Sequence, residues 1–475
     1  MSRLSSPLGP VLLLDDLRDG QMHLAALFIT PPGAALAPLQ VDDKSIAPAR
    51  LAGFGGVEIW RARFALRSDR AGRYVWDGQA FELAADLTRD LRIAYVSCNG
   101  QEHGDLDRNP AERNAMWARL RDDHAQQPFS LMLHGGDQIY ADEATLGHKL
   151  SEDWPDELPR DPSQADLASL REHLERRFID RYIAIYSAPD YAALASRVPS
   201  LMQWDDHDIC DGWGSLKRSR TYSPVGQVLF SVARQAALLC QHGCIDGDLP
   251  PRFADAQGLH LGWQVALPGL RLLAPDLRGE RTRREIMGPG GWAMMEQARS
   301  DAVPGRTFLM SSVPLLGPRL SVLEAVMILI PSMQKYEDDL RDQWQSRAHR
   351  DSWQRMLQLA VDIHTQPDQA LTVLSGEIHL AGRADMGTPA GPLHQLVASG
   401  ITHPPPPRIW ARALGALASL GDSPLPDHPI SIRRMPGRQR LYLAERNALI
   451  LSRQDSSWQA SWMLEESGPT PPLSI

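Results

Sequence analysis

The chain has 475 residues, 43% of them hydrophobic and 23% charged, with 49 Lys and Arg against 58 Asp and Glu and a formal charge of −9. That length exceeds one ordinary core, so two domains, one of them large, are expected, and the composition excludes a disordered or fibrous protein. The acidic balance gives no footing for a basic groove, which removes nucleic acid as an obligatory partner but leaves room for a local anion site.

The first 20 residues hold an apolar stretch of only four residues, 11–14, before acids follow. This is short of a signal-peptide core, and no stretch reaches the roughly 18 apolar residues that span a bilayer. The longest run, 320–330, is interrupted by Glu324 and closed by Pro331, so it reads as a buried helix. Four cysteines make no disulfide framework. The chain therefore reads as cytoplasmic, with its thiols reduced.

Residues 1–88 alternate β-like runs at 11–14, 22–29, 57–66 and 74–83 with Asp-Gly and Pro-Pro-Gly breaks. This pattern predicts a small β-sandwich with a structural or substrate-framing role. From Leu91 apolar strands alternate with long helices, the pattern of an α/β domain. A strand at 93–96 enters Ser97-Cys98-Asn99-Gly100, and a helix follows at 110–127. The apolar run 129–133 then breaks at Gly135-Gly136 and sets Asp137, Tyr140, Asp142 and Glu143 within seven residues. The tip of such a strand is where ligands bind in α/β sheets.

A helix is predicted at 164–187, then a strand at 199–204 that ends in Asp205-Asp206-His207-Asp208, then a helix at 224–242. Strands at 261–267 and 270–274 precede Asp276 and a basic patch of Arg278, Arg281, Arg283 and Arg284. Beyond a strand at 307–311, helical spacing runs from Trp353 to Val361, and a strand at 371–374 enters Ser375-Gly376-Glu377-Ile378-His379. The proline-rich region 403–438 reads as an irregular loop holding one short helix, and strands at 441–451 and 458–464 close a sheet edge.

Four strand ends thus carry metal-ligand types: Cys98; Asp137 with Tyr140; Asp206 with His207; Glu377 with His379. One acid after a strand is ordinarily a turn or helix cap, and Cys98 alone would read as a buried strand cysteine. Repetition changes the balance, because neighbouring strands that end at one edge bring these groups together, and cations relieve the repulsion of convergent carboxylates. Carboxylates with imidazole suit divalent ions, whereas a thiolate with a phenolate favours a stronger Lewis acid such as ferric iron. A two-metal site with Asp137 as the bridging carboxylate follows, suited to in-line displacement at phosphorus. The arginine patch reads first as ion-paired surface, with Arg278 and Arg281 as candidates to reach a substrate phosphate. His134 and Cys210 read as packed groups, and Trp204 and Trp213 as pocket wall or core.

The motifs SCNG at 97, GGDQIYADE at 135, WDDHD at 204 and SGEIHLAG at 375 resemble, in order and spacing, the calcineurin-like metallophosphoesterase superfamily. Within it the chain is similar to the PhoD-like alkaline phosphatase and phosphodiesterase family over roughly residues 91–400, and DLRGERT at 276 and DDLRDQW at 338 are also family-like. The resemblance implies an α/β fold: a four-layer αββα sandwich over residues 89–475, preceded by an N-terminal β-sandwich domain at 1–88. It implies a metal-dependent hydrolase that cleaves phosphomonoesters or phosphodiesters, of small molecules or polymers, by in-line attack of a metal-bound hydroxide. Cys98 and Tyr140 would be ferric ligands, Asp137 the bridging and catalytic carboxylate, and Asp206 a ligand of the second ion.

By the same resemblance Glu377 and His379 would be further ligands, Glu377 suited to calcium, and His207 would contact the phosphate and help the leaving oxygen depart. The metal pair implied is Fe3+ with Ca2+, with other divalent metals as alternatives, and Asp211 is a possible extra ligand. The chain carries no twin-arginine signal, unlike secreted PhoD enzymes. Loops 142–163 and 400–438 would choose the substrate. The alternatives are a phospholipase D type diesterase, which would need an exposed apolar rim beside the metals, and a catalytically silent scaffold of the same fold.

Overall fold

The computed structural model describes residues 4–84, 86–317, 342–418 and 422–475. The helix expected at 320–330 and residues 338–341 of the DDLRDQW motif lie outside the described residues. Among the described residues the strands form an 11-stranded, a 9-stranded and a 4-stranded sheet.

At the centre of the large sheet, Leu91–Val96, Leu131–His134 and Ser200–Met202 run parallel, in registers such as Met132 with Ala94 and with Ser200. At the centre of the second sheet, Leu270–Ala274, Gly305–Met310, Gln369–Ser375 and Gly391–Val397 are also parallel. Such strands are buried on both faces, which is why they read as near-continuous apolar runs rather than alternating ones. Being parallel, they also end at one edge of each sheet, and this edge carries the candidate ligands.

Period-two alternation decides what each face meets. Ile93, Tyr95, Leu131, Leu133 and Leu201 pack across the sheet interface against Leu272, Phe308, Met310, Leu374 and Leu396. The opposite face of the large sheet, with Ala94, Val96, Met132 and Met202, meets Trp117, Leu170, Leu174, Phe178 and Leu229 from three helices, Ala115–Gln126, Gln164–Tyr186 and Pro224–Ala236. Leu273, Leu309, Leu371 and Val373 of the second sheet meet Met295, Trp353, Met356 and Leu357 from Pro289–Ser300 and Arg350–His364. Helix, sheet, sheet and helix therefore stack as the four layers expected.

Residues 4–84 are β-rich and two-layered. Leu8–Arg18, Gln21–Thr30, Val57–Arg67 and Ala49–Phe54 pair antiparallel, and the small sheet carrying Tyr74 and Phe81 packs on their Leu24 and Phe64. One layer of this sandwich is not free-standing. Leu8–Arg18 pairs parallel with Ser200–Met202, Leu13 opposite Ser200, so the large sheet runs on through it. Val11, Leu12, Leu13 and Leu14 are all buried, as an interior strand requires.

Other boundaries differ from expectation for local reasons. The helix read at 110–127 is two, Pro110–Arg113 and Ala115–Gln126, broken at Asn114. The helix read at 224–242 is α-helical over Pro224–Ala236 and widens into a π turn at Ala237–Gln241. The 403–438 loop holds the helix Arg408–Ala418 and also a hairpin, Asp422–Leu425 with His428–Arg433, that pairs with Ala381–Thr388. Asn447–Gln454 does not close an edge but pairs with Leu91–Val96 inside the large sheet.

Candidate metal centre

Two strand tips build the first half of the centre. Cys98 N donates to Gly136 O at 3.1 Å and Asn99 N to Asp137 O at 2.8 Å, which locks the SCNG turn to the GGD turn. Gly136 has φ 118, and a Cβ there would lie 2.8 Å from Asp205 Cβ, so glycine lets the WDDHD segment close in. Cys98, Asp137, Glu377 and His379 all occupy the left-handed region, at φ 57, 54, 65 and 52. For non-glycine residues such backbone costs on the order of 1 kcal/mol or more each and concentrates at functional sites.

The side chains then converge. Cys98 Sγ lies 3.4 Å from Asp137 Oδ2 and 3.2 Å from Ser399 Oγ. The Tyr140 hydroxyl is 3.0 Å from His379 Nε2, and the Tyr140 ring stacks on His207 with centroids 4.2 Å apart. Asp137, Asp206 and His207 offer ligand atoms that all lie within 4.8 Å of one another. Glu377 accepts from Gln343 Nε2 at 2.8 Å to each oxygen.

The electrostatics are those of a site short of positive charge. Burial, and then the carboxylates of Asp205, Asp206 and Asp208, push Asp137 well above the carboxylate range, with His207 opposing. Burial and then Asp137 raise the Cys98 thiol, and burial, Cys98 and Asp137 raise the Tyr140 phenol. Burial and then Asp342 raise Glu377. His207 moves the other way for a base: burial disfavours its charge, but Asp142 and Asp206 outweigh that and hold it well above its usual range.

Asp137 Oδ1 is buried without a hydrogen-bond partner, and Asp206 Oδ1, also buried, has only the Arg278 guanidinium, at 3.3 Å. Orphaned buried carboxylate oxygens are rare and costly. With a thiol, a phenol and imidazoles beside them they fit a multivalent cation, which would satisfy the oxygens and favour the ionised ligands.

Arg278 and Arg281 stand elsewhere than expected. Arg278 is fully buried, ion-paired to Asp205 and Asp342 and 3.3 Å from Asp206. Arg281 is 3.0 Å from Asp342 and also buried. Both guanidinium groups are thus turned to carboxylates behind the centre instead of to a substrate phosphate, because desolvated acids are the stronger local demand for charge. Asp211 is exposed, with its backbone N bonded to Asp142 Oδ1 at 2.7 Å. Trp204 and Trp213 belong to the core, Trp204 Nε1 donating to Asp276 at 2.8 Å. His134 bonds Gln138 and Ser200.

Three neighbours have roles that were not read in the sequence. Asp142, grouped with the oxygen ligands, instead holds His207 Nδ1 at 2.9 Å. Ser399 meets both Cys98 Sγ and, at 2.9 Å, the His379 amide. His403 stacks on His379 with centroids 3.4 Å apart and bonds Glu102 at 3.1 Å. A signal existed: Ser399-Gly400 follows an apolar strand as Ser375-Gly376 does, and Gly391–Val397 neighbours Gln369–Ser375.

Residues 93–239 match the sequence model of the PhoD-like phosphatase family. That stretch includes Cys98, Asp137, Tyr140, Asp206 and His207 and stops before Glu377 and His379. The uncharacterized protein YGR266W of Saccharomyces cerevisiae is 23% identical over 360 residues, covering 62% of this chain and 50% of its own, so the chain spans about half the length of that curated relative. Among solved structures, PhoD matches 100% of this chain and 90% of its own at 12% identity with a TM-score of 0.57, a likeness of fold. GAP50, the anchor in the inner membrane complex of Plasmodium, covers 82% of this chain and 89% of its own at 8% identity and a TM-score of 0.40.

The four-layer fold is like that of PhoD, residues 93–239 carry the sequence pattern of the PhoD-like phosphatase family, and the strand-tip cluster offers ligand atoms that could hold a metal ion.

Proposed function

We propose that this chain hydrolyses phosphomonoesters or phosphodiesters with the aid of two cations, Fe3+ and Ca2+, at the tips of its parallel strands. The observation that carries this reading is the buried Asp137 Oδ1, which has no hydrogen-bond partner, within reach of Asp206 and His207 in a cluster that also holds a sulfur and a phenol. Cys98 and Tyr140 would hold ferric iron together with Asp137, whereas Asp206 and Glu377 offer the hard oxygens calcium takes, and His379 completes the set. Other divalent metals fit the carboxylate half. When bound, the cations supply Lewis acidity toward phosphoryl oxygens and lower the pKa of water.

The chain's own groups do the rest. Asp142 fixes the His207 ring through Nδ1 at 2.9 Å, so Nε2 is the atom that can donate a proton to the leaving oxygen. The charge His207 keeps beside Asp142 and Asp206 also offsets negative charge gathering on phosphorus. Arg278 and Arg281 act as positioning residues, holding Asp205 and Asp342 and through them the Asp206 loop. Residues 89–475 would carry the chemistry and 1–88 would frame it. The substrate is a phosphate ester, of a small molecule or of a polymer. No helix among the described residues is long and apolar enough to cross a membrane, and a cytoplasmic setting would keep the Cys98 thiol reduced.

The test measures metal by mass spectrometry in the purified protein and in Cys98→Ser, then turnover of a chromogenic monoester and diester with iron and calcium restored. Near-stoichiometric iron in the parent, its loss in the variant and metal-dependent turnover are expected. Full turnover by Cys98→Ser in the presence of chelators would sink the reading.

A further inference from the structure

We infer that a cavity between the helix Gln164–Tyr186 and the segment 105–114 is a second binding site, one that takes a phosphate monoester with a ring-bearing body and acts on the metal centre from outside it. The cavity measures about 500 Å3, within the range of small-molecule sites. None of the candidate metal ligands lines it. Arg108, Arg113 and Arg177 do, with one carboxylate, Asp180, a surplus of two positive charges in a protein of net charge −9. Leu106, Pro110, Ile183 and Pro189 add an apolar wall. A phosphate monoester carries about −1.5 to −2 charges at neutral pH. Guanidinium forks match its oxygens, and the apolar wall would cover its organic body.

Charge behind the wall is unevenly matched. Asp105, itself buried, is shared by three guanidinium groups, Arg108 at 3.3 Å, Arg113 at 3.6 Å and Arg181 at 3.7 Å. Arg108 turns also to Glu112 at 3.1 Å and Arg181 to Glu143 at 2.7 Å. Arg113 and Arg177 direct their hydrogen bonds to the carbonyls of Asp105, Ala184 and Glu143. Arg181 is 5% exposed, and its Nη1 has no hydrogen-bond partner. One carboxylate among three desolvated guanidinium groups leaves positive charge that an entering dianion would offset. The same side chains lead toward His207. Arg177 Nη2 donates to Glu143 O at 2.8 Å, and Gly104 N donates to Glu143 Oε1 at 3.1 Å. Glu143 follows Asp142, whose carboxylate holds His207 Nδ1. A ligand that engages Arg177 therefore bears on the turn that orients His207, which makes the cavity an effector site.

The full chain is titrated calorimetrically with adenosine monophosphate, adenosine and inorganic phosphate, each with and without a chelator. Saturable binding of adenosine monophosphate that survives the chelator is expected, at least about tenfold tighter than that of either fragment. Arg177→Gln should weaken it about tenfold, the worth of one charge-assisted hydrogen bond. Ala184→Trp, at a half-buried lining position, should abolish it by filling the cavity, with the melting temperature of both variants near that of the parent. Hydrogen exchange over residues 141–146 should slow when the nucleotide binds the parent and stay unchanged in Ala184→Trp. Absence of saturable binding, binding that Ala184→Trp leaves intact, inorganic phosphate bound as tightly as the nucleotide, or exchange at 141–146 that ignores the ligand overturns the inference. Binding and exchange are read with the chelator present, so the outcome is independent of whether the hydrolase reading stands.

Discussion

Asp142 Oδ1 lies 2.9 Å from Nδ1 of His207, and the same oxygen receives the Asp211 amide at 2.7 Å. The carboxylate is thus held by the chain before it holds the imidazole, which leaves Nε2 as the nitrogen without a hydrogen-bond partner among the described residues. Asp142→Asn keeps the shape and removes the charge. We expect kcat to fall by about 10- to 100-fold, the usual cost of losing an orienting partner, with bound metal unchanged by mass spectrometry. Loss of metal together with activity would instead make Asp142 a ligand.

Tyr140→Phe deletes the hydroxyl that meets His379 Nε2 at 3.0 Å and leaves the ring to stack on His207. If Tyr140 holds ferric iron as proposed, visible absorbance from the phenolate should decrease, and kcat/KM should fall at least about tenfold. The melting temperature should move little. An unchanged spectrum and rate would place Tyr140 outside the metal shell.

Arg278 faces Asp205, Asp206 and Asp342 with no exposure to solvent. Replacing it by Met strands buried carboxylates, a loss on the order of 3 to 5 kcal/mol, to be read from urea unfolding. Adding Asp342→Asn should recover part of that loss, because Asp342 is then no longer an unpaired charge. A cost below about 1 kcal/mol would show that the acids find another counter-charge.

His134 is fully buried, and desolvation lowers its pKa to about 4 despite the Gln138 hydrogen bond. The sign follows from linkage. Above about pH 6.5 neither state binds the proton; as pH falls toward 4 the unfolded chain takes one that the folded chain refuses. Stability should therefore drop by about 3 kcal/mol across that window from this residue alone. His134→Gln should flatten the slope relative to the parent in urea titrations at several pH values; parallel slopes would show that His134 titrates normally.

Much of this molecule was legible because parallel strands buried on both faces leave long apolar runs, and such runs end at glycine or serine turns. The tips at 97, 135, 204 and 375 were readable for that reason, and Cys98, Asp137, Tyr140, Asp206, His207 and His379 do come together. The strands Ala381–Thr388 and Gly391–Val397 escaped notice, since AGRADMGT mixes glycine and charge and the burial that favours it comes from its neighbours. The hairpin at 422–433 was hidden among prolines for a related reason: it is an edge feature, where proline is tolerated.

The arginines show a different limit. Nothing in DLRGERT separates a side chain aimed at solvent phosphate from one aimed at internal acids, because that choice depends on Asp205 and Asp342, 73 and 64 residues away. Ser399 and His403 were missed likewise: they contact the centre only because the Gly391–Val397 strand lies beside Gln369–Ser375.

Leu13 opposite Ser200 makes the opening strand of the chain an interior member of the sheet whose tips hold the centre. A shortened version starting near residue 89 would bare one backbone edge of Ser200–Met202, only a few positions before Asp206. An uncovered ribbon of that kind recruits whatever strand it meets. Self-association, and not a smaller working catalyst, is what such a truncation should yield.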